Sequence, residues 1–201
     1  MLKKALKHLS QDPVMKDLIS KHKLSEIGES STNLFVELID IITGQQLSVK
    51  AGSTIFNRLL KLLEPKTRQN IVPQNVLNLT HDQLRSVGLS NNKATYIHHL
   101  SHAVSQNQII LDQLKTLSDN EVFQQIIKLK GLGPWSAEMF LIFSLGRPDI
   151  FSVNDLGLRT AISKLYHLDR DNHHQILKIS QKWSPYRSFA SRLLWKSLDN
   201  T

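Results

Sequence analysis

The chain has 201 residues, 40% hydrophobic and 21% charged, which is enough for one domain or two small lobes with a real core and unlike a disordered segment. It holds no cysteine, which excludes disulfides, zinc–thiolate sites and cysteine-ligated iron–sulfur clusters. Lysine and arginine number 25 against 17 acidic residues, a net charge of +8 that serves either plain solubility or, on a sharper reading, a polyanionic partner.

Helical signals dominate from the first residues onward. The basic start "MLKKALKHLS" reads as a helix whose lysines 3, 4 and 7 form a solvated face, and no signal-peptide-like apolar run follows it. No window approaches the roughly 20 apolar residues of a membrane span, so a soluble intracellular protein is expected. Asp12-Pro13 has the form of an N-cap followed by proline at the first helical position. Asn33 to Gln46 is apolar on most faces and predicts a buried helix. Ser48 to Leu63 is amphipathic and stops before Pro65. Ser90 to Val104 and Ser118 to Leu129 each open on a cap, the second with Glu121 at capping-box spacing. A helix then restarts at Pro134 and closes at Gly146, with others predicted at about 156–166, 172–183 and from Pro185 nearly to the end. His98, His99 and His102 share a helix, but the glutamate of H-E-x-x-H is missing, so they read as exposed or cap-region histidines rather than metal ligands. The pattern as a whole predicts an all-α fold.

The stretch "LKGLGPWSAEMF" (Leu129 to Phe140) carries the most chemistry. Glycines at 131 and 133 permit a tight turn, and Pro134 suits a first helical turn, where its missing N–H has no intrahelical partner. The result is helix, hairpin, helix, with backbone amides at a helix N-terminus that favour an anion. By itself such a turn is more often an ordinary helix connection.

Its context is more specific. "LKGLGPWSAEMFLIFSLGRPDIFSVNDLGLR" resembles the helix–hairpin–helix, Gly/Pro-rich loop and aspartate of the DNA glycosylase superfamily, with the loop at Gly146-Arg147-Pro148 and the aspartate at Asp155. "ITGQQLSVKAG" (Ile42 to Gly52) and "WSPYRSFASRLLW" (Trp183 to Trp195) resemble further motifs of its DNA-3-methyladenine glycosylase II branch. The resemblance implies two helical lobes around a cleft. The middle lobe would span 39–148 and end with the helix–hairpin–helix at about 118–145, while 1–38 and 149–201 form the other, with no separate N-terminal β domain.

For function, the resemblance implies a monomeric, monofunctional DNA glycosylase that removes alkylated purines of the 3-methyladenine and 7-methylguanine type from double-stranded DNA. Asp155 falls on the catalytic aspartate, and its position before "LGLRTAISKLY" also reads as an N-cap; the two roles are compatible. Where bifunctional relatives carry a lysine two residues after the hairpin's second glycine, this chain has Trp135, so strand cleavage through a Schiff base is not expected. Trp135 and Trp195 match pocket tryptophans, and Met139 stands where some members have a tyrosine. A third wall is open among Phe35, Tyr186 and Phe189. The duplex wedge comes from Gln45-Gln46-Leu47, where alignment favours Gln46 and apolar chemistry favours Leu47. Gly131, Gly133 and Ser136 are the phosphate donors, with Arg187 either a further one or a surface ion pair. The carbonyls of Ile127, Leu129 and Leu132 match a non-catalytic Na+ or K+ site, and no other cofactor is implied. Two readings compete: a non-enzymatic helix–hairpin–helix DNA-binding module, which would not need Asp155, and a glycosylase for deaminated or oxidised bases.

Overall fold

The computed structural model describes residues 1–28, 30–63 and 67–198, and every regular element among them is helical. In chain order the α-helices are α1 (Leu2–Leu9), α2 (Pro13–Lys21), α3 (Leu34–Gly44), α4 (Val49–Leu63), α5 (Pro73–Leu77), α6 (His81–Ser86) and α7 (Asn91–Ser105). They continue with α8 (Asp119–Ile126), α9 (Pro134–Met139), α10 (Leu156–Tyr166), α11 (His173–Gln181) and α12 (Arg187–Leu198). Pro65, expected to stop α4, lies outside the described residues. No helix among them is long and apolar enough to cross a membrane.

The chain divides into two compact units, one of Met1–Glu29 with Leu141–Thr201 and one of Ser30–Phe140. The sequence put the changes at 38/39 and 148/149. A cut at 38 would split α3, a continuous helix whose Leu34, Phe35, Val36, Leu38, Ile39 and Ile42 are all buried.

In the Ser30–Phe140 unit, α3 packs against α4, α7 and α9. Its start follows from Asn33, whose Oδ1 accepts from the Val36 amide at 3.1 Å. The same side chain's Nδ2 donates to the Ile71 carbonyl at 2.8 Å, so this cap also ties α3 to the segment before α5. Ser90 and Ser118 cap α7 and α8 as expected, the latter in a capping box with Glu121. The short helices α5 and α6 were not legible as separate elements, because five or six residues carry little periodicity.

In the other unit α12 packs on α10 and α2 around Leu158, Ile162, Phe189 and Leu193. Asp12 caps α2 through Oδ1, while its Oδ2 accepts from the Tyr166 hydroxyl at 2.9 Å and from Trp183 Nε1 at 3.3 Å. One carboxylate therefore joins α2, α10 and the end of α11. Tyr166 is held well above the usual phenol range, first by burial and then by the adjacent Asp12, so its hydroxyl stays a donor.

Between the hairpin and the Gly146 turn the helix changes character. α9 passes directly into a π-helical segment, Phe140–Ser144, and Gly146 follows at φ 66°. Such π segments are uncommon and recur at functional sites, because the extra residue per turn re-aims the side chains.

Candidate functional site

Asp155 lies in the Met1–Glu29 and Leu141–Thr201 unit and is the N-cap of α10, with Oδ1 accepting the Leu158 amide at 2.7 Å. The same oxygen accepts from Trp195 Nε1 at 2.9 Å. The cap expected from the sequence is in place, and its oxygen takes a second, side-chain donor from 40 residues away. Trp195 is expected as a wall for a flat ligand; it is also a donor that fixes the orientation of Asp155. The two are packed closely across Gly157, where an added Cβ would sit 3.1 Å from Asp155 Oδ1 and 3.2 Å from Trp195 Cδ1. With glycine as the third residue of "DLG" the indole and the carboxylate meet without either having to give way to a side chain.

The ring that lies against Trp195 is none of the three aromatics named from the sequence for a third wall. Phe143, carried on the π segment, lies 5.5 Å from Trp195 between ring centroids, with the planes tilted by 33°. It is 55% exposed, a large apolar side chain presented to solvent beside the indole and the carboxylate. Phe35 is instead buried in the core of the other unit and Phe189 is fully buried, while Tyr186 packs edge-on against His8 at 5.6 Å. Phe143 was missed because an α-helical wheel for "FLIFSL" gives no reason to turn it outward. Met139 is buried, at 5% exposure, and Trp135 is half-buried in the first turn of α9.

In the Ser30–Phe140 unit the hairpin takes the form the glycines predicted, but for two different reasons. Gly131 has φ 88°, and a Cβ there would overlap the Tyr96 ring. Gly133 is extended, is the N-cap of α9 and has open space where a Cβ would lie. Only the first glycine is demanded by conformation and packing. The second leaves the amide end of the helix uncovered.

Beside the hairpin runs the turn that follows α3. Gln46 has φ 57°, both Gln46 and Leu47 are exposed, and Leu47 reaches 41%. Gln45 does not share that exposure. Its Nε2 donates to the Gly131 carbonyl at 2.8 Å and to Ser136 Oγ at 3.0 Å. This removes Gln45 from the wedge candidates and leaves Gln46 and Leu47. It also corrects the expectation for Ser136, which is 2% exposed and braces the turn from inside instead of offering a hydroxyl to a phosphate. Lys93, unremarked in the sequence, donates to the carbonyls of Thr43 at 2.8 Å and Gln45 at 2.7 Å.

Arg187 makes a bidentate pair with Asp149, Nε to Oδ1 at 2.8 Å and Nη2 to Oδ2 at 3.0 Å. Its guanidinium braces the loop after Pro148, so the surface ion-pair alternative describes it and a phosphate role does not. Burial pushes the Asp149 carboxyl up, but the donors from Arg187 and Ser184 outweigh it and hold it below the usual carboxylate value. At the hairpin the Leu129 carbonyl accepts the Leu132 amide at 3.1 Å. Among the described residues no group of three or more His, Asp or Glu side chains is arranged to hold a metal.

Comparison with known proteins bears on both assemblies. A family model described as "HhH-GPD superfamily base excision DNA repair protein" matches residues 39–185. YfjP of Bacillus subtilis (strain 168) is 34% identical over 196 residues, spanning 91% of this chain and 68% of that protein. DNA-3-methyladenine glycosylase 1 of Schizosaccharomyces pombe is 30% identical over 165 residues, 81% of this chain and 72% of its own length. The solved structure of the Schizosaccharomyces pombe 3-methyladenine DNA glycosylase Mag1 in complex with abasic DNA superposes with a TM-score of 0.87 at 28% identity, covering 98% of this chain and 97% of that one. Since the family match runs from within α3 to just before Tyr186, taking in the hairpin and Asp155, the chain belongs to the HhH-GPD superfamily of base excision DNA repair proteins.

Proposed function

We propose that the protein is a monofunctional DNA glycosylase that hydrolyses the N-glycosidic bond of alkylated purines in duplex DNA and leaves an abasic site. The observation that carries this reading is the carboxylate of Asp155, held through Oδ1 by the Leu158 amide and the Trp195 indole, with Phe143 against that indole. As the bond from C1′ to the base nitrogen breaks, its electron pair leaves with the purine and C1′ gains positive charge. A fixed carboxylate stabilises that charge, and it orients the water whose oxygen bonds to C1′ and whose proton is released.

Purines methylated at N3 or N7 carry a positive charge, so an electron-rich indole attracts them beyond simple stacking. Trp195 and Phe143 supply aromatic faces beside the carboxylate, and Trp135 is assigned the same task by its motif position. With Trp135 in place of an amine, no Schiff base forms there and the strand is left intact. Met139 and Phe35, being buried, support the core and not the ligand. Gly131 and Gly133 offer their amides to a DNA phosphate, and Gln46 or Leu47 enters the stack the base has left.

A monovalent cation such as Na+ or K+ would be held at the hairpin by the carbonyls of Ile127, Leu129 and Leu132, neutral oxygen donors that suit a hard ion. Such an ion would help join backbone to phosphate and takes no part in bond breaking; no other cofactor is required. The work so described belongs in the intracellular compartment that holds DNA, with the protein acting as a monomer.

The test is release of methylpurine from methylated duplex by the wild type and by Asp155→Asn, followed by alkali treatment of the product. Release by the wild type alone, with strands breaking only after alkali, is the expected result. Duplex binding without release by either protein leaves a DNA-binding module instead, and strand cleavage that borohydride traps on the protein overturns monofunctional chemistry.

A further inference from the structure

We infer that Lys93 and Gln45 clamp the turn after α3, so that Lys93 is a positioning residue for the side chain that enters the duplex when a base leaves it. The inference rests on the glycosylase reading, since only a protein that empties a base stack needs a held side chain to fill it.

The turn is hard to keep in place unaided. α3 ends at Gly44, and the last carbonyls of a helix have no donors of their own. Gln46 then adopts φ 57°, a region that costs a residue with a Cβ roughly 1–2 kcal/mol. Leu47 follows with an exposed apolar side chain. Chain of this kind frays unless something over-determines it.

Two side chains do so from different directions. The Lys93 ammonium reaches the carbonyls of Thr43 and Gln45, capping α3 at the end where its dipole favours a cation. Gln45 turns inward and donates to the Gly131 carbonyl and Ser136 Oγ, tying the same turn to the hairpin. The turn and the hairpin are thereby joined across 86 residues of sequence. The element assigned to phosphate and the element assigned to the base stack keep one spacing.

The location of Lys93 is not explained by its own helix. It occupies the first turn of α7, capped by Ser90, where the helix dipole disfavours a cation. Burial also pulls its pKa below the usual lysine value, a cost that an exposed lysine avoids. The ammonium is retained against both effects, and what it gains is the hold on Thr43 and Gln45.

Lys93→Met, Lys93→Arg and Gln45→Leu test the clamp. The first readout is independent of catalysis: fluorescence of 2-aminopurine placed next to a tetrahydrofuran abasic analogue in a duplex, which rises when a side chain enters the stack. The second is single-turnover base release from methylated duplex, and the third is binding to undamaged duplex. Lys93→Met should lower the fluorescence response and base release together by about tenfold, because small misplacements of reacting parts carry costs of this order. Binding to undamaged duplex should stay within about twofold, since phosphate contacts dominate it. Lys93→Arg, able to reach both carbonyls, should restore most of the response.

A folded Lys93→Met protein with unchanged fluorescence overturns the inference. So does a parallel loss of all three readouts that arginine does not rescue, the mark of a merely structural residue. If Lys93→Met does not fold, Gln45→Leu decides, with the same loss expected and an unchanged response overturning the clamp. A wild type that gives the fluorescence response but releases no methylpurine overturns the alkylpurine reading and leaves the clamp standing. One that releases methylpurine while the variants respond normally does the reverse, and a wild type with neither signal overturns both.

Discussion

The two units arrange function in contrasting ways. In the Ser30–Phe140 unit the proposed phosphate contacts are backbone amides, at Gly131 and Gly133, and the adjoining turn is held by its carbonyls at Thr43 and Gln45, with that of Gly131, in the grip of Lys93 and Gln45. In the Met1–Glu29 and Leu141–Thr201 unit the groups proposed for bond breaking are side chains: one carboxylate, one indole and one exposed phenyl ring. A backbone site is altered through conformation, and therefore through glycines and the side chains that hold a turn. A side-chain site is altered directly, with little effect on the fold. Substitutions in the two units should accordingly separate binding and stability from chemistry.

The largest expected effect breaks the chemistry alone. Asp155→Asn keeps an oxygen that can accept from Leu158 and Trp195, so α10 stays capped. Single-turnover base release should fall by about 10²–10⁴-fold, while affinity for undamaged duplex stays close to wild type. Equal loss of both would erase the contrast between the units.

Gly131→Ala is the opposite case. It places a Cβ at φ 88° and into the Tyr96 ring, so the protein should lose at least about 1–3 kcal/mol of stability. Thermal unfolding measures this directly. Duplex affinity should fall with it, and the dependence of that affinity on salt should flatten as phosphate contacts are lost.

Trp195→Phe sharpens the comparison within the side-chain site. It keeps an aromatic face and removes the donor to Asp155 Oδ1. A hydrogen bond to a charged group is worth about 1.5–3 kcal/mol, so base release should fall roughly 10- to 100-fold with little change in duplex affinity. A loss no greater than twofold would mean that the indole acts as a wall only.

Arg187→Ala removes the pair with Asp149 and should cost about 1–3 kcal/mol of stability without changing the salt dependence of DNA binding. The sign of the accompanying pH effect follows from Asp149, whose folded pKa lies below the ordinary 3.8. The stability it contributes is present above that value and disappears as pH falls through the folded pKa. Wild type and variant should therefore converge in strong acid.

The smallest effect belongs to His98. Burial, and then the neighbouring His102, His81 and His99, hold its pKa below 6.5. The unfolded chain takes up that proton first, so stability should fall as pH drops below about 6.5. His98→Phe, which cannot titrate, should flatten the decline in acid unfolding curves.

Much of this protein could be read four residues at a time. Asp12, Asn33, Ser90, Ser118 and Asp155 each cap a helix by accepting an amide two or three residues ahead, so the helix starts were written locally. The hairpin glycines and the place of Asp155 were legible for the same reason, the latter through its motif. What the sequence could not assign depends on partners far apart in the chain: Trp195 with Asp155 across 40 residues, Lys93 with Gln45 across 48, Arg187 with Asp149 across 38. A hydroxyl at 136 and a guanidinium at 187 are equally able to meet a phosphate or a neighbouring side chain, and only packing decided that each meets the neighbour. Phe143 is the clearest case, since a switch from α to π winding turned an apparent core residue outward beside Trp195. Local hydrogen bonding determined where the helices begin; the competition among distant donors, acceptors and apolar faces decided which side chains were left to do the chemistry.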